Sequence, residues 1–434
     1  MSNRPFLLTD EFKDALSLLE SHPAVTPLIF ITGRAGTGKT TLLRYFVEHT
    51  GQSTVVLATT GLAAINVRGQ TIHSFFRLKP GNLLDKSLLK KLPRKTIESF
   101  DTLVIDEASM LRADLLDAMD YILQQSAHCS EPFGGKRLIL FGDLFQLPPV
   151  EEKPEGGLFD YFHQVYPSPY FFEAHVLARL PLEVFELKRI FRQKEDPDFA
   201  RLLNAIREGR TTQPELDALL NTRQTAQTPE QVENSIILAP TNQNASWRNR
   251  RYLAQLPGQE YIYHAQADDT FTKTPPADKE LHLKKGAKIM MLINTDDWVN
   301  GDIGTVYDLS PNSIKVEIKG TVYEVQPYVW EDIRYEFNPL SQKLQPKVKG
   351  FFKQYPLKLA WAITIHKSQG LTFDNIFLDI GQGAFATGQT YVALSRCRSL
   401  KGVHLKKEIQ VKDILCDKRV TQFFEYVRNN RILM

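Results

Sequence analysis

At 434 residues, 42% hydrophobic and 24% charged, the chain has the composition of an ordinary globular protein with room for two or three domains. A net charge of +3 argues against a histone-like or tail-like coat of positive charge, so any nucleic-acid footprint has to be a local groove. Cys129, Cys397 and Cys416 form no C-x-x-C pair and have no His at ligand spacing, which argues against zinc or disulfides and fits a reducing compartment; no apolar run approaches the ~18 residues that span a membrane, and Met1 to Asp10 shows no secretory pattern.

In chain order, Leu28–Ile31, Val55–Ala58, Leu103–Ile105 and Leu138–Phe141 are strand-sized apolar runs, as expected of strands buried on both faces of a parallel sheet. Gly33-Arg34-Ala35-Gly36-Thr37-Gly38-Lys39-Thr40 follows the first run and opens a helix carrying Leu42, Leu43 and Phe46. It matches the phosphate-binding loop in full and in the required context. Backbone N–H groups from Gly33 to Thr41 wrap phosphates, Lys39 reaches the β and γ phosphates, and the Thr40 hydroxyl ligates magnesium. The third run ends in Asp106-Glu107. Asp106 is placed to hold magnesium and Glu107 to polarise the attacking water; alternatively the pair caps the next helix. Leu111, Leu115, Met119 and Ile122 step as one face of that helix. Gln146, beyond the fourth run in Gly142-Asp143-Leu144-Phe145-Gln146, can sense the γ-phosphate, though spacing alone also suits a turn built on Gly142 and two prolines.

A second α/β rhythm begins near Leu182. It has a helix marked by Phe199, Leu202, Leu203 and Ile206 and strands at Ile236–Ala239, Ile289–Ile293 and Ile376–Leu378. Between about Gly301 and Gln354 the period changes to two. Ile314–Ile318 and Thr321–Val325 alternate around a Lys319-Gly320 turn, which predicts a hairpin in a small all-β insertion. The basic stretch Lys86 to Lys95 reads either as a solvated helix face or as a small element near a duplex fork.

Five blocks in order resemble superfamily 1 helicases, specifically the B branch and its petite-integration-frequency (Pif) family in a bacterial-type short form. They are the phosphate loop; Thr60–Ala64 with Thr71–Phe76; Asp106–Met110; Pro132–Gly135 leading to Gly142–Val150; and the pair Ile365–Phe373 and Tyr391–Arg396. The resemblance implies an α/β fold class of two RecA-like parallel-sheet domains with a small inserted SH3-like β subdomain. The implied domains are 1–180, containing a small insertion at about 75–97; 181–300 with 355–434; and the β subdomain 301–354. It implies that Arg192 and Arg396 reach the γ-phosphate from across a cleft, with Glu107 and Gln146 completing the catalytic set. ATP and Mg2+ are the implied cofactors, with Thr40 and Asp106 as metal ligands and Gln369 and Gly370 added to the nucleotide set. Thr60, His73, Ser74, Phe75, Thr241, Asn242, His366 and Lys367 are the implied DNA contacts, although Phe75 and Phe76 also read as a core pair. The resemblance also implies that the β subdomain, which carries lysines at 315, 319, 343, 347, 349 and 353, sits above the DNA.

The chain departs from the family pattern twice. No Gln precedes Gln52 to read adenine, and Met119–Gln125 lacks a basic helix face. The implied activity is ATP-driven 5′-to-3′ translocation on single-stranded DNA. It unwinds duplex and extends to G-quadruplex or RNA–DNA hybrid substrates, in repair, recombination or telomere maintenance. The implied protein is intracellular, in the cytoplasm or nucleoid, and acts on single-stranded, forked or structured DNA as a monomer that can pair on DNA. The rival reading is a phosphate-loop ATPase that switches a partner by nucleotide state without translocating.

Overall fold

Strands β1 (Leu28–Gly33), β2 (Thr54–Ala58), β3 (Gln70–Thr71), β4 (Thr102–Asp106), β5 (Arg137–Phe141) and β6 (Leu182–Leu187) form one sheet in the order β3-β2-β4-β5-β1-β6. Every neighbouring pair is parallel. In this computed structural model, residues 8–21, 27–78, 83–150, 158–193, 195–221, 235–268, 271, 275–338 and 343–430 are described. β1, β4 and β5 are buried along their whole length, which explains their unbroken apolar runs.

The chain divides into two compact units. One holds Leu7–Arg192 and Asp417–Met434 with Ile333–Val348; the other holds Gln193–Asp332 and Lys349–Cys416. β6 lies beyond the boundary expected at residue 180, yet it pairs with β1 from Leu28↔Leu182 to Gly33↔Leu187. A six-residue strand carries no local mark of the sheet it will join, so the sequence rhythm placed this boundary too early. The helix Lys418–Asn429, expected within the second domain, also groups with the first unit. Phe423 stacks on Phe172 with centroids 4.6 Å apart, and Phe424 stacks on Phe145 at 5.4 Å. The expected helix after Asp106 runs over Ala113–Ala127 and buries Leu115, Met119 and Ile122. Its polar side is structural: the Asp120 carboxylate accepts from Phe133 N at 2.6 Å and pairs with Arg179 at 2.5 Å, fixing the Pro132–Gly135 turn.

The second unit adds strands β7 (Ile236–Ala239), β8 (Tyr261–His264), β9 (Gln266–Ala267), β10 (Glu280–Leu283), β11 (Lys288–Met291), β12 (Ile303–Ser310), β13 (Ser313–Ile318), β14 (Thr321–Val325), the start of β15 (Tyr328–Asn338) and the end of β16 (Lys343–Gln354), whose 333–348 portions group with the first unit, and then β17 (Leu357–Leu359), β18 (Ala362–Thr364), β19 (Ile376–Leu378) and β20 (Val403–Leu405). A parallel sheet β18-β7-β19-β20 carries the helices Pro197–Arg207, Asn242–Gln255 and Gln389–Leu394 around it in sequence. A second sheet is antiparallel, β14-β13-β12-β11-β17. The expected hairpin is there, with Ile318 opposite Thr321 and positive φ at Lys319 (52°) and Gly320 (81°), the signature of a type I′ turn.

β11 is a correction. Ile289–Ile293 reads as a strand of the second parallel sheet, but β11 sits inside the antiparallel sheet between β12 and β17. An interior antiparallel strand buried on both faces shows the same continuous apolar run as a parallel one. The β core therefore extends past 301–354. Val306, Ile314, Val316, Ile318 and Val325 pack with Leu253, Tyr263, Leu281, Leu283, Ile289 and Leu357.

Candidate nucleotide site and nucleic-acid interface

The parallel order β4-β5-β1 brings three strand ends to one edge of the first sheet, the edge where open α/β sheets bind ligands. The phosphate loop leaves β1, Asp106 ends β4, and Gln146 follows β5. Gly38 caps the helix Lys39–His49 in the left-handed region at φ 86°, and a β-carbon there would come 2.9 Å from the Phe12 ring. Gly36, at φ 84°, has even less room, because its β-carbon would lie 2.5 Å from that of Arg192. Phe191 N donates to Gly36 O at 2.9 Å. The loop is thus clamped by the segment that follows β6. The helix Asp10–Leu19 supports that clamp from below the motif. Glu11 accepts from Lys188 N at 2.6 Å, and Phe12 packs against Phe191 at 6.0 Å between centroids. No motif pointed to Glu11 or Phe12.

Lys39 Nζ donates to Gly33 O at 2.7 Å and Arg34 O at 3.0 Å, which holds its ammonium over the loop. The buried Thr37 hydroxyl donates to Arg34 O at 2.9 Å. Ala35 is buried, while Thr40 is half-buried and Thr41 exposed on the first turn of the helix. Asp106 is buried; desolvation, then the adjacent Glu107 charge, push its carboxyl above the ordinary range, opposed by a bond from Glu107 N and by Lys39. Glu107 is half-buried with φ 54° and ψ 44°, a left-handed backbone that is uncommon for a non-glycine residue and concentrates at functional positions. Thr59 Oγ1 donates to Glu107 O at 3.1 Å and so supports that turn. Gln146 is buried, and its amide is held toward Asp143, with Gln146 N on Asp143 O at 2.9 Å. No motif pointed to this contact of Asp143 with Gln146. Two neighbouring carboxylates and a threonine hydroxyl are hard oxygen donors, the chemistry that suits magnesium.

The two arginines differ. Arg192 is half-buried and belongs to the same unit as the phosphate loop, with the division falling between Arg192 and Gln193. The expectation that it comes from the opposite domain is therefore corrected, for the same reason as the β6 boundary. Arg396 belongs to the other unit and is 1% exposed. Its guanidinium donates to Val392 O at 2.8 Å, Ser368 O at 3.3 Å, Leu371 O at 3.4 Å and Ser395 Oγ at 2.8 Å. Gln193 Nε2 reaches Cys397 O at 2.9 Å beside it. Gln369 keeps a buried side-chain N–H without a hydrogen-bond partner among the described residues, and Gly370 follows at φ 77°.

Of the nucleic-acid candidates, Thr60 and Thr241 are both N-caps, accepting from Ala63 N and Asn244 N at 3.2 Å. Asn242 and Lys367 are exposed, and His366 is half-buried with its pKa lowered by desolvation. His73 is likewise half-buried and lowered, and Ser74 Oγ accepts from Gln70 Nε2 at 2.7 Å. Phe75 is buried against Phe76 (5.0 Å) and Phe100 (6.0 Å), so the structure realises the core reading of this residue. In the basic stretch, Lys86 lies 5.2 Å over the Tyr121 ring and Arg94 pairs with Glu98 at 2.7 Å; residues 79–82 of the expected insertion lie outside the described residues. Lys319 pairs with Asp302 at 2.9 Å, and the Lys343 side chain lies outside the described residues.

The PIF1-like helicase family model matches residues 8–217. The ATP-dependent DNA helicase Pif1 of Bdellovibrio bacteriovorus is 30% identical over 96% of this chain and 92% of its own length. The chain belongs to the PIF1-like helicase family. The ATP-dependent DNA helicase PIF1 of Xenopus laevis is 32% identical over 93% of this chain, which spans only 62% of that relative. Among solved structures, Bacteroides Pif1 in complex with ADP-AlF4 matches with TM-score 0.87 and 33% identity over 99% of both chains. Bacteroides Pif1 bound to single-stranded DNA matches with TM-score 0.70 and 34% identity over 98% of both. The α/β architecture is accordingly that of PIF1-like helicases.

Proposed function

We propose that this PIF1-like chain is an ATP-driven DNA helicase that translocates 5′ to 3′ on single-stranded DNA and opens duplex ahead of it. The observation that carries the reading is the gathering of the phosphate loop, Asp106, Glu107 and Gln146 at one edge of one parallel sheet. The relative that binds ADP-AlF4 and the one bound to single-stranded DNA support it.

In this reading the loop amides and Lys39 bind the β and γ phosphates, Glu107 takes a proton from the attacking water, and Gln146 orients that water. Arg192 and Arg396 stabilise charge on the γ-phosphate. Arg396 must exchange its carbonyl partners to do so. Thr40 and Asp106 would hold magnesium, which neutralises phosphate charge when bound. Thr60, His73, Ser74, Thr241, Asn242, His366 and Lys367 serve the DNA strand, with Gln369 and Gly370 linking it to the nucleotide. Forked, G-quadruplex and RNA–DNA hybrid substrates, and a second copy on forked DNA, extend the reading; the place of action is the cytoplasm or nucleoid.

Partial duplexes with either a 5′ or a 3′ tail test it. Unwinding from the 5′ tail with hydrolysis of ATP is expected; efficient unwinding from the 3′ tail alone refutes the polarity, and hydrolysis indifferent to DNA refutes translocation.

A further inference from the structure

In the second unit, the helix Asn242–Gln255, β17, β18 and the segment around Asp278 wall a cleft of about 820 Å3. Leu253, Leu359, Ala362 and Ile363 give it an apolar side. Lys358 from β17 and Lys367 from the turn after β18 bring two cations to the same space, and Arg250 and Lys279 also line the cleft. Lys358 is half-buried and has no hydrogen bond or ion pair among the described residues. Burial is the main reason its pKa drops to about 8; the Lys367 charge adds to the drop, and the Asp278 charge opposes it. The other carboxylates on the wall, Glu260 and Glu280, lie beside His282, at 2.7 and 3.9 Å.

An ammonium drawn partly out of water beside a like charge is costly, and an anion between the two lysines relieves both costs. The cleft is also lined by Asn242. Asn242 and Lys367 follow β7 and β18, which pair as neighbours in the parallel sheet. In the single-stranded DNA reading above, that adjacency makes the cleft a continuation of the surface assigned to the strand, and its apolar side suits a sugar lying beside its phosphate.

We propose that this cleft seats a backbone phosphate of single-stranded DNA between Lys358 and Lys367, making Lys358 a DNA-contact residue that no motif marks. The proposal rests on the single-stranded DNA reading above. A phosphate contact of this kind positions the strand without reading its sequence.

The test is fluorescence anisotropy of a labelled oligothymidylate with the full chain, over a salt series, for the wild type and for Lys358→Met, Lys358→Arg and Asp278→Asn. Lys358→Met should weaken binding roughly tenfold and flatten the salt dependence by about one phosphate contact. Lys358→Arg should retain most of the affinity, and Asp278→Asn should tighten binding. A melting curve checks that the Met variant is folded; if it is not, the opposite shifts of the Arg and Asn variants decide. Wild-type affinity and salt slope in Lys358→Met, with wild-type protein that binds the oligonucleotide, overturns the cleft alone. An Asp278→Asn variant that binds no more tightly, with Lys358→Arg as weak as Lys358→Met, overturns it as well. A wild-type protein that binds no oligonucleotide overturns the helicase reading and this proposal together.

Discussion

Lys39 spans its loop, bonded to the carbonyls of Gly33 and Arg34, so truncation removes the charge proposed to bind the phosphates without emptying a core. Lys39→Ala should abolish ATP hydrolysis, read by phosphate release, while oligonucleotide binding persists; equal rates would remove Lys39 from the mechanism. Arginines acting on transferring phosphate contribute roughly 10³–10⁵ in rate, and the two candidates should separate. Arg192→Ala should cut turnover with little change in melting temperature. Arg396→Ala should lower both, because several carbonyls lose a buried donor at about 1–3 kcal/mol each. Normal turnover at saturating ATP in Arg396→Ala, with only the melting temperature reduced, would make this arginine a strut rather than a catalytic group. Lys358 carries a pH signature. A lysine whose folded pKa falls to about 8 destabilises the fold fully at pH below that value, and the penalty fades as pH rises toward 10.5. Lys358→Met should therefore melt higher than wild type at pH 7, by about 3 kcal/mol at most, with the gain shrinking by pH 10. A constant difference across that range would assign the effect to packing instead.

At the scale of elements, the β insertion looks separable in sequence because its rhythm changes at Gly301 and returns at Gln354. The tertiary core is drawn elsewhere. Residues of β12, β13 and β14 share one apolar cluster with Leu253, β8, β10, β11 and β17. Replacing residues 303–353 with a Gly/Ser linker keeps β11 paired with β17, from Ile289↔Leu359 to Met291↔Leu357, but uncovers that cluster. The expected outcome, read by hydrogen exchange, is lost protection at Leu281–Met291 with protection of β1, β4 and β5 retained. Retained protection throughout would restore the insertion as a self-contained module. The same logic explains β6, whose six residues read as the start of a second domain and instead complete the first sheet beside β1.

For the whole molecule, the proposed coupling of nucleotide to strand has one direct consequence. ATP hydrolysis should be slow alone and strongly stimulated by single-stranded DNA, in a comparison of steady-state rates with and without oligothymidylate. Equal rates would favour the partner-switching ATPase.

What depends on local spacing was legible in the order of residues alone. A phosphate loop needs glycines, a lysine and a hydroxyl at set intervals between a strand and a helix, and β1, Gly36, Gly38 and Lys39 are arranged that way. Buried parallel strands need unbroken apolar runs, so β1, β2, β4 and β5 were legible, and so was the Lys319-Gly320 turn with its positive φ angles. Tertiary structure decided what depends on partners remote in sequence. It put β6 with the first sheet and β11 with the antiparallel one, set Phe75 in a core, buried Arg396 among carbonyls, and brought Lys358 to the cleft with Lys367. A strand's sheet, an aromatic ring's exposure and a lysine's pKa are fixed by desolvation and contact with distant segments, and no local pattern of residues encodes those distances.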